Sequence, residues 1–176
     1  MIALATDLHK AKVLSLRQGS SIGIVGKILL EKTNLRVRLL VVDVFGQKES
    51  GYLLPDDIRL SEEKKIIIDS EEKLSNKEDL IRDQATIEQD LTLFDLPVIT
   101  LSGKKLGRVE NYAFDSTNYL ATKIYVQTSI LKNLIHDNLI IDRSDIVDVK
   151  PNKLIVRDAY ASDKQVARNV LPVENS

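Results

Sequence analysis

The chain carries nearly the same pattern of residues twice. The first copy reads Ile24-Val25-Gly26-Lys27-Ile28, then Leu39-Leu40-Val41-Val42, then Asp57-Ile58, then Lys65-Ile66-Ile67-Ile68. The second reads Lys105-Leu106-Gly107-Arg108-Val109, then Lys123-Ile124-Tyr125-Val126, then Asp145-Ile146, then Lys153-Leu154-Ile155-Val156. The offset is 81 residues at the glycine, 84 at the aliphatic strand and 88 at both the Asp-Ile pair and the closing strand. Element order is kept while loop lengths drift, which is what duplication of one small domain leaves behind. Solenoids usually need about three or more stacked repeats, so two copies predict two domains.

Each copy reads as a series of short strands. In the first, a β-prone stretch at 13–16 and a Gly/Ser turn at 19–21 lead into a strand around 24–30. Residues 36–44 then place Val37, Leu39 and Val41 on one face and Leu40 and Val42 on the other, a strand apolar on both sides. Pro55 ends the next strand, and Ile66 to Ile68 close the unit. In the second copy Leu120, Thr122, Ile124 and Val126 alternate against Ala121, Lys123 and Tyr125. Short, evenly spaced strands with Gly, Asn and Asp turns predict small antiparallel barrels. The stretch 71–95 lacks Gly and Pro, has the capping-box spacing Ser75 to Glu78, and repeats Leu80, Ile81, Ala85, Ile87 and Leu91 at roughly helical spacing. The expectation is all-β: a first barrel over 12–70, an acidic helical linker over 71–95 with its apolar edge laid on a barrel, a second barrel over 96–160, and a polar tail over 161–176.

Composition narrows the chemistry. The 43% hydrophobic content suffices for a core, and the absence of Trp with few aromatics predicts an aliphatic one. There is no Cys, so disulfides, thiolate metal sites and a cysteine nucleophile are excluded, which fits a reducing cytoplasm. The longest purely apolar stretch, 39–42, is far too short to span a bilayer, and the opening residues do not read as a signal peptide. Charge is uneven: ten Lys/Arg against eight Asp/Glu over 11–70, nine against seven over 96–160, but three against eight over 71–95. Neither near-neutral unit has the basic excess that phosphate neutralisation requires, which argues against nucleic-acid binding.

No catalytic, cofactor-binding or metal-binding residue is assigned. Gly19, Gly23 and Gly26 match neither phosphate-loop spacing and read as turn and strand glycines. Asp56, Asp57, Asp142 and Asp145 recur at related places, where an aspartate can cap backbone amides at a strand start while the following isoleucine enters the barrel. His9 and His136 stand alone, too few for a zinc site and outside any triad arrangement. One loop is unexpectedly apolar: Ile130, Leu131, Leu134 and Ile135 fall on one face of a helical turn. They form either a lid on the second barrel or a protein-docking surface.

The pattern of Gly-Lys/Arg-aliphatic opening a strand, a double-sided aliphatic strand, an Asp-Ile step and a closing aliphatic strand resembles the PRC-barrel family. That family is named for the photosynthetic reaction-centre H subunit, and a related barrel forms the C-terminal half of the ribosome maturation factor. The second copy is the closer match, with Leu101-Ser102-Gly103-Lys104-Lys105-Leu106-Gly107-Arg108-Val109 and Ile141-Asp142-Arg143-Ser144-Asp145-Ile146. The first departs by inserting Ile22-Gly23-Ile24-Val25 and by carrying Leu54-Pro55-Asp56-Asp57-Ile58. The resemblance, over roughly 12–160, implies a six-stranded antiparallel barrel per unit and a non-enzymatic, protein-binding role; no cofactor is expected, and units this small are expected to pack on each other or on a second copy of the chain. An RNA- or ribosome-associated maturation factor is the alternative, opposed by the near-neutral units and by the lack of a glycine-rich opening segment in the first half.

The loop reading separates by experiment. Leu131→Asp with Leu134→Asp should unfold the second unit if these residues are a lid. At a docking surface the double variant melts like the parent and loses association, read by thermal melting and analytical ultracentrifugation.

Overall fold

The structure, a computed structural model, describes residues 1–128 and 138–160. About half the chain is strand, arranged in two sheets, one of which curls into a half-barrel. The chain divides into two compact units, Met1–Thr92 with Phe114–Leu120, and Leu93–Ala113 with the residues from Ala121 onward.

In the first unit, β1 (Ile2–Leu4) leads into the single-turn helix α1 (Ala5–Leu8), which buries Ala5 and Leu8. The sheet strands are β2 (Lys12–Ser15), β3 (Ser20–Glu31), β4 (Arg36–Val44), β5 (Gly51–Leu53), β6 (Leu60–Glu62), β7 (Lys65–Ile68) and the two-residue β8 (Leu74–Ser75). They lie side by side as β6-β7-β2-β3-β4-β5-β8. Val13, Val25, Ile28, Leu40, Val42, Leu53, Ile66 and Ile68 are all removed from solvent. Ile28 faces Leu40 across the β3–β4 ladder, and Leu40 faces Leu53 across the next. Aligning these aliphatic partners on one face is what sets the register, since a slip of one residue would turn them all outward.

The described elements of the second unit are strands and short 3-10 turns, the strands being β9 (Pro97–Thr100), β10 (Lys105–Asp115), β11 (Ala121–Thr128), β12 (Asn138–Asp142), β13 (Ile146–Lys150) and β14 (Lys153–Val156). They lie as β13-β14-β9-β10-β11-β12. Val98, Leu106, Val109, Tyr112, Ile124, Val126, Leu139, Ile141, Leu154 and Val156 are buried, with Ile124 opposite Ile141. Phe94 packs against the Tyr112 ring, centroids 5.4 Å apart.

The pairing is not wholly antiparallel, as the sequence pattern had implied. β2 runs parallel to β7, with Val13 beside Ile66, and β9 runs parallel to β14, with Val98 beside Leu154. The cause is local. A 3-10 turn, Pro55–Asp57 between β5 and β6 and Arg143–Asp145 between β12 and β13, takes the place of a hairpin. Each carries the chain onward without reversing it, so the final hairpin returns its last strand in the direction of the first. Ile58 and Ile146 close these turns, donating their amides to Pro55 O and Arg143 O. Their side chains are half-buried rather than core.

The second unit supplies a contrast in substitutions. Ile124 is fully buried, and Ile124→Ala is expected to cost about 2–5 kcal/mol, the range for large-to-small core changes. Among the described residues the fully buried Tyr112 hydroxyl has no hydrogen-bond partner, and burial alone pushes its pKa up. Tyr112→Phe deletes that unsatisfied group and should leave stability unchanged or raise it by up to about 1 kcal/mol. Urea unfolding of both variants checks the pair; a destabilised Tyr112→Phe would mean that the hydroxyl is satisfied in solution.

Candidate functional site

Strands β3 and β4 expose two faces, and both are aliphatic. The inner face carries Ile28, Leu40 and Val42. The outer face carries Leu29 and Leu39, paired with each other in the ladder, together with the half-buried Val41. An aliphatic outer face on a sheet must be covered, because each buried leucine or valine side chain is worth roughly 1.5–3 kcal/mol relative to exposure.

Residues 71–91 provide the cover. They run as a strap along this outer face, beginning with a 3-10 turn at Glu71–Lys73 and the short edge strand β8, in which Leu74 pairs with Leu53 and Ser75 with Tyr52. Two more 3-10 turns, Lys77–Asp79 and Ile81–Asp83, precede the six-residue helix α2 (Gln84–Gln89). The sequence predicts one helix of two to four turns here. The structure has a single short one, and no side chain caps the turn that follows Asn76, so the Ser75–Glu78 capping box is not formed. Leu80 and Ile87 form one buried cluster with Leu29 and Leu39, flanked by Val41, Tyr52 and Leu54. Leu91 is buried as well and accepts the Leu30 amide at 3.0 Å, whereas Ile81 stays exposed. Packing has thus selected three of the five periodic aliphatics, and the left-handed Asp90, with φ 45°, ends the helix early.

Electrostatics follow the same line. Arg17 meets Glu72 at 2.8 Å and Lys27 meets Asp90 at 2.7 Å. Arg38, on β4, donates through Nε to Asp83. In the reverse sense, Lys73 of the strap reaches Asp57 at 2.8 Å. The Gln47 amide adds a hydrogen bond to Glu71 at 3.0 Å. The Arg38–Asp83 pair differs from the others in burial: the Asp83 side chain is 7% exposed and Arg38 31%. The hydrogen bond to Asp83 holds the Arg38 guanidinium above its ordinary pKa, against a smaller desolvation effect.

The strap does not fill the face it covers. A cleft of about 610 Å³ remains between them, with Leu29, Val41 and Tyr52 on the sheet side and Asn76, Glu78 and Ile87 on the strap side. Gly26 forms part of its wall. It is the bulged residue between Val25 and Lys27 in the β3–β4 ladder, and a Cβ there would lie 2.7 Å from an Asp43 carboxylate oxygen. The other Asp43 oxygen accepts the Ser50 hydroxyl at 3.1 Å.

Other residues singled out in the sequence are placed elsewhere. Ile130, Leu131, Leu134, Ile135 and His136 lie outside the described residues. His9 caps the C-terminal end of α1, and burial, followed by Lys10 and Lys64, lowers its pKa. The spacing suggested amide caps at Asp57 and Asp145, and the structure gives both of them side-chain partners instead. Asp57 takes Lys73, while Asp145 accepts the Tyr160 hydroxyl at 2.7 Å and sits 3.6 Å from Arg157. Among the described residues no group of three His, Cys, Asp or Glu side chains could hold a metal ion, and no helix is long and apolar enough to cross a membrane. What sequence reasoning missed is the body's half of the clasp, Arg17, Lys27 and Arg38. The readable signal was the two-sided aliphatic strand 36–44 next to a segment with eight acids against three bases. No protein-family model matches the chain, and no curated protein matches its sequence.

Asp83→Ala should destabilise the first unit by about 1–3 kcal/mol, the scale of a lost hydrogen bond to a charged group. Lys27→Ala, which removes an exposed pair, should cost about 1 kcal/mol or less. Chemical denaturation of the two variants measures the difference. Equal effects would show that Asp83 is solvated in the native state.

Proposed function

We propose that this chain is a non-enzymatic cytoplasmic protein-interaction or assembly module built on two PRC-barrel-like units that arose by duplication. The observation that carries the reading is the strand order. The first unit has β6-β7-β2-β3-β4-β5 and the second β13-β14-β9-β10-β11-β12, each with a parallel pair between its first and last strands and a 3-10 turn before its final hairpin. On this reading Leu40 and Ile124 are equivalent, as are Leu53 and Ile141. The covered aliphatic face and the open cleft of the first unit supply the kind of surface on which a module without its own chemistry can act.

Affinity capture with the full chain, followed by analytical ultracentrifugation of the purified complex, tests the reading. The expected outcome is a protein complex of fixed stoichiometry that forms without added small molecules. Recovery of ribosomal RNA with ribosomal proteins would favour the maturation-factor alternative, and a chain that stays monomeric with no protein partner would overturn the proposal.

A further inference from the structure

The outer faces of corresponding strands in the two units differ in chemistry. On β10 and β11, opposite the buried Val109, Ile124 and Val126, the outward positions include the exposed Arg108, Glu110, Lys123 and Gln127, with Tyr125 half-buried among them. On β3 and β4 the outward leucines are aliphatic and buried, and what buries them is the strap. The first face is therefore specialised to receive a segment, and the strap is the example of such a segment bound to it.

We infer that the outer face of β3 and β4 is a docking surface for acidic protein segments bearing aliphatic side chains, and that the chain's own residues 71–91 are its displaceable occupant. Three observations identify the occupant. Aliphatic side chains at 80 and 87 enter the Leu29–Leu39 cluster. Carboxylates at 72, 83 and 90 meet Arg17, Arg38 and Lys27 of the body, so three of the four described ion pairs set an acid of the strap on a cation of the surface, Lys73 with Asp57 being the reverse. A solvent-open cleft of about 610 Å³ lies between strap and sheet, so the surface has room for a bulkier segment of the same chemistry. The strap has little regular structure of its own. Its elements are two to six residues long, and of its four ion pairs among the described residues only Arg38–Asp83 is largely withdrawn from water. Segments of short elements with solvated polar contacts open below the free energy of global unfolding.

The inference deepens the protein-binding reading and is tested apart from it. Native-state hydrogen exchange on the full chain at low salt and at about 0.5 M salt, where screening is strong, reads strap opening. The amides of Asp83 and Asp90, and that of Leu30 bonded to Leu91 O, should exchange at least about tenfold faster at the higher salt, as expected for screened clasp pairs. The β2–β7 ladder should not change. A labelled peptide copying residues 71–91 should bind Asp83→Ala/Asp90→Ala at least about tenfold more tightly than wild type, since an occupant reduces apparent affinity by the fraction it blocks. Adding Arg38→Ala should abolish that binding. Strap amides that exchange only through global unfolding overturn the inference, as does a basic peptide of equal length binding equally well. If the double variant does not fold, excess 71–91 peptide added to wild type should accelerate strap exchange, and no acceleration overturns the inference. A strap that opens and takes the peptide in a chain that captures no partner leaves the surface standing and overturns the protein-binding reading instead.

Discussion

The contact of Leu29 and Leu39 with Leu80 and Ile87 is the constraint on which the first unit depends. A sheet can leave one face to water when that face is polar, and it cannot when the face is leucine. Once β3 and β4 carry aliphatic side chains on both sides, some other part of the chain has to lie across them. The acidic stretch 71–91 does so, and its charges then find Arg17, Lys27 and Arg38 on the body beneath. The order of causes matters. Exposed ion pairs are worth too little to assemble the strap, about 0–1 kcal/mol each, so hydrophobic burial supplies the adhesion and the charges set the register.

A second constraint acts at the level of connections. Two hairpins in succession would leave the last strand antiparallel to its neighbour. The 3-10 turns at Pro55–Asp57 and Arg143–Asp145 avoid this by advancing the chain without reversing it. Pro55 suits its turn because its fixed φ is already helical and its missing N–H would have had no partner in the first turn. The second turn manages without proline, and Asp145 is instead tied down by Tyr160 and Arg157. One backbone geometry is thus held by two different sets of side chains.

How much of this was legible beforehand depends on the range of the interaction. Alternation in Leu120 to Val126 and the double-sided run at 36–44 report directly on burial, and Ile124 and Leu40 are buried as read. The 3-10 turns were hidden because Asp-Ile looks the same whether the aspartate caps an amide or pairs with a distant Lys73. The helix was overestimated for a related reason. Leu80, Ile81, Ala85, Ile87 and Leu91 approximate a helical repeat, but the strap must also follow the sheet, and only the residues that reach Leu29 and Leu39 or the β3 backbone are drawn in. Periodicity records local preference; the departures from it record what the segment is packed against. The acidic excess of 71–95 signalled that cations would face it, but which cations stayed hidden, because nothing in sequence pairs position 38 with position 83.

The two strand glycines show how one residue type can answer to different neighbours at comparable places. Gly26 yields to a side chain: an added Cβ would meet the Asp43 carboxylate, which could swing away at the expense of its bond to Ser50. Gly107 yields to backbone. Its φ of 150° lies in the region open mainly to glycine, and a Cβ would come within 2.0 Å of the Gln127 carbonyl oxygen, which the β-ladder holds in place. The first glycine keeps a cleft wall open beside a face built to be covered, and the second lets two strands of the other unit approach. A Gly-Lys/Arg pair thus sits at a bulge toward β4 in one unit and beside a bulge toward β9 in the other, and the faces around the two pairs differ: aliphatic and strapped in one unit, mostly charged or polar with a half-buried Tyr125 in the other.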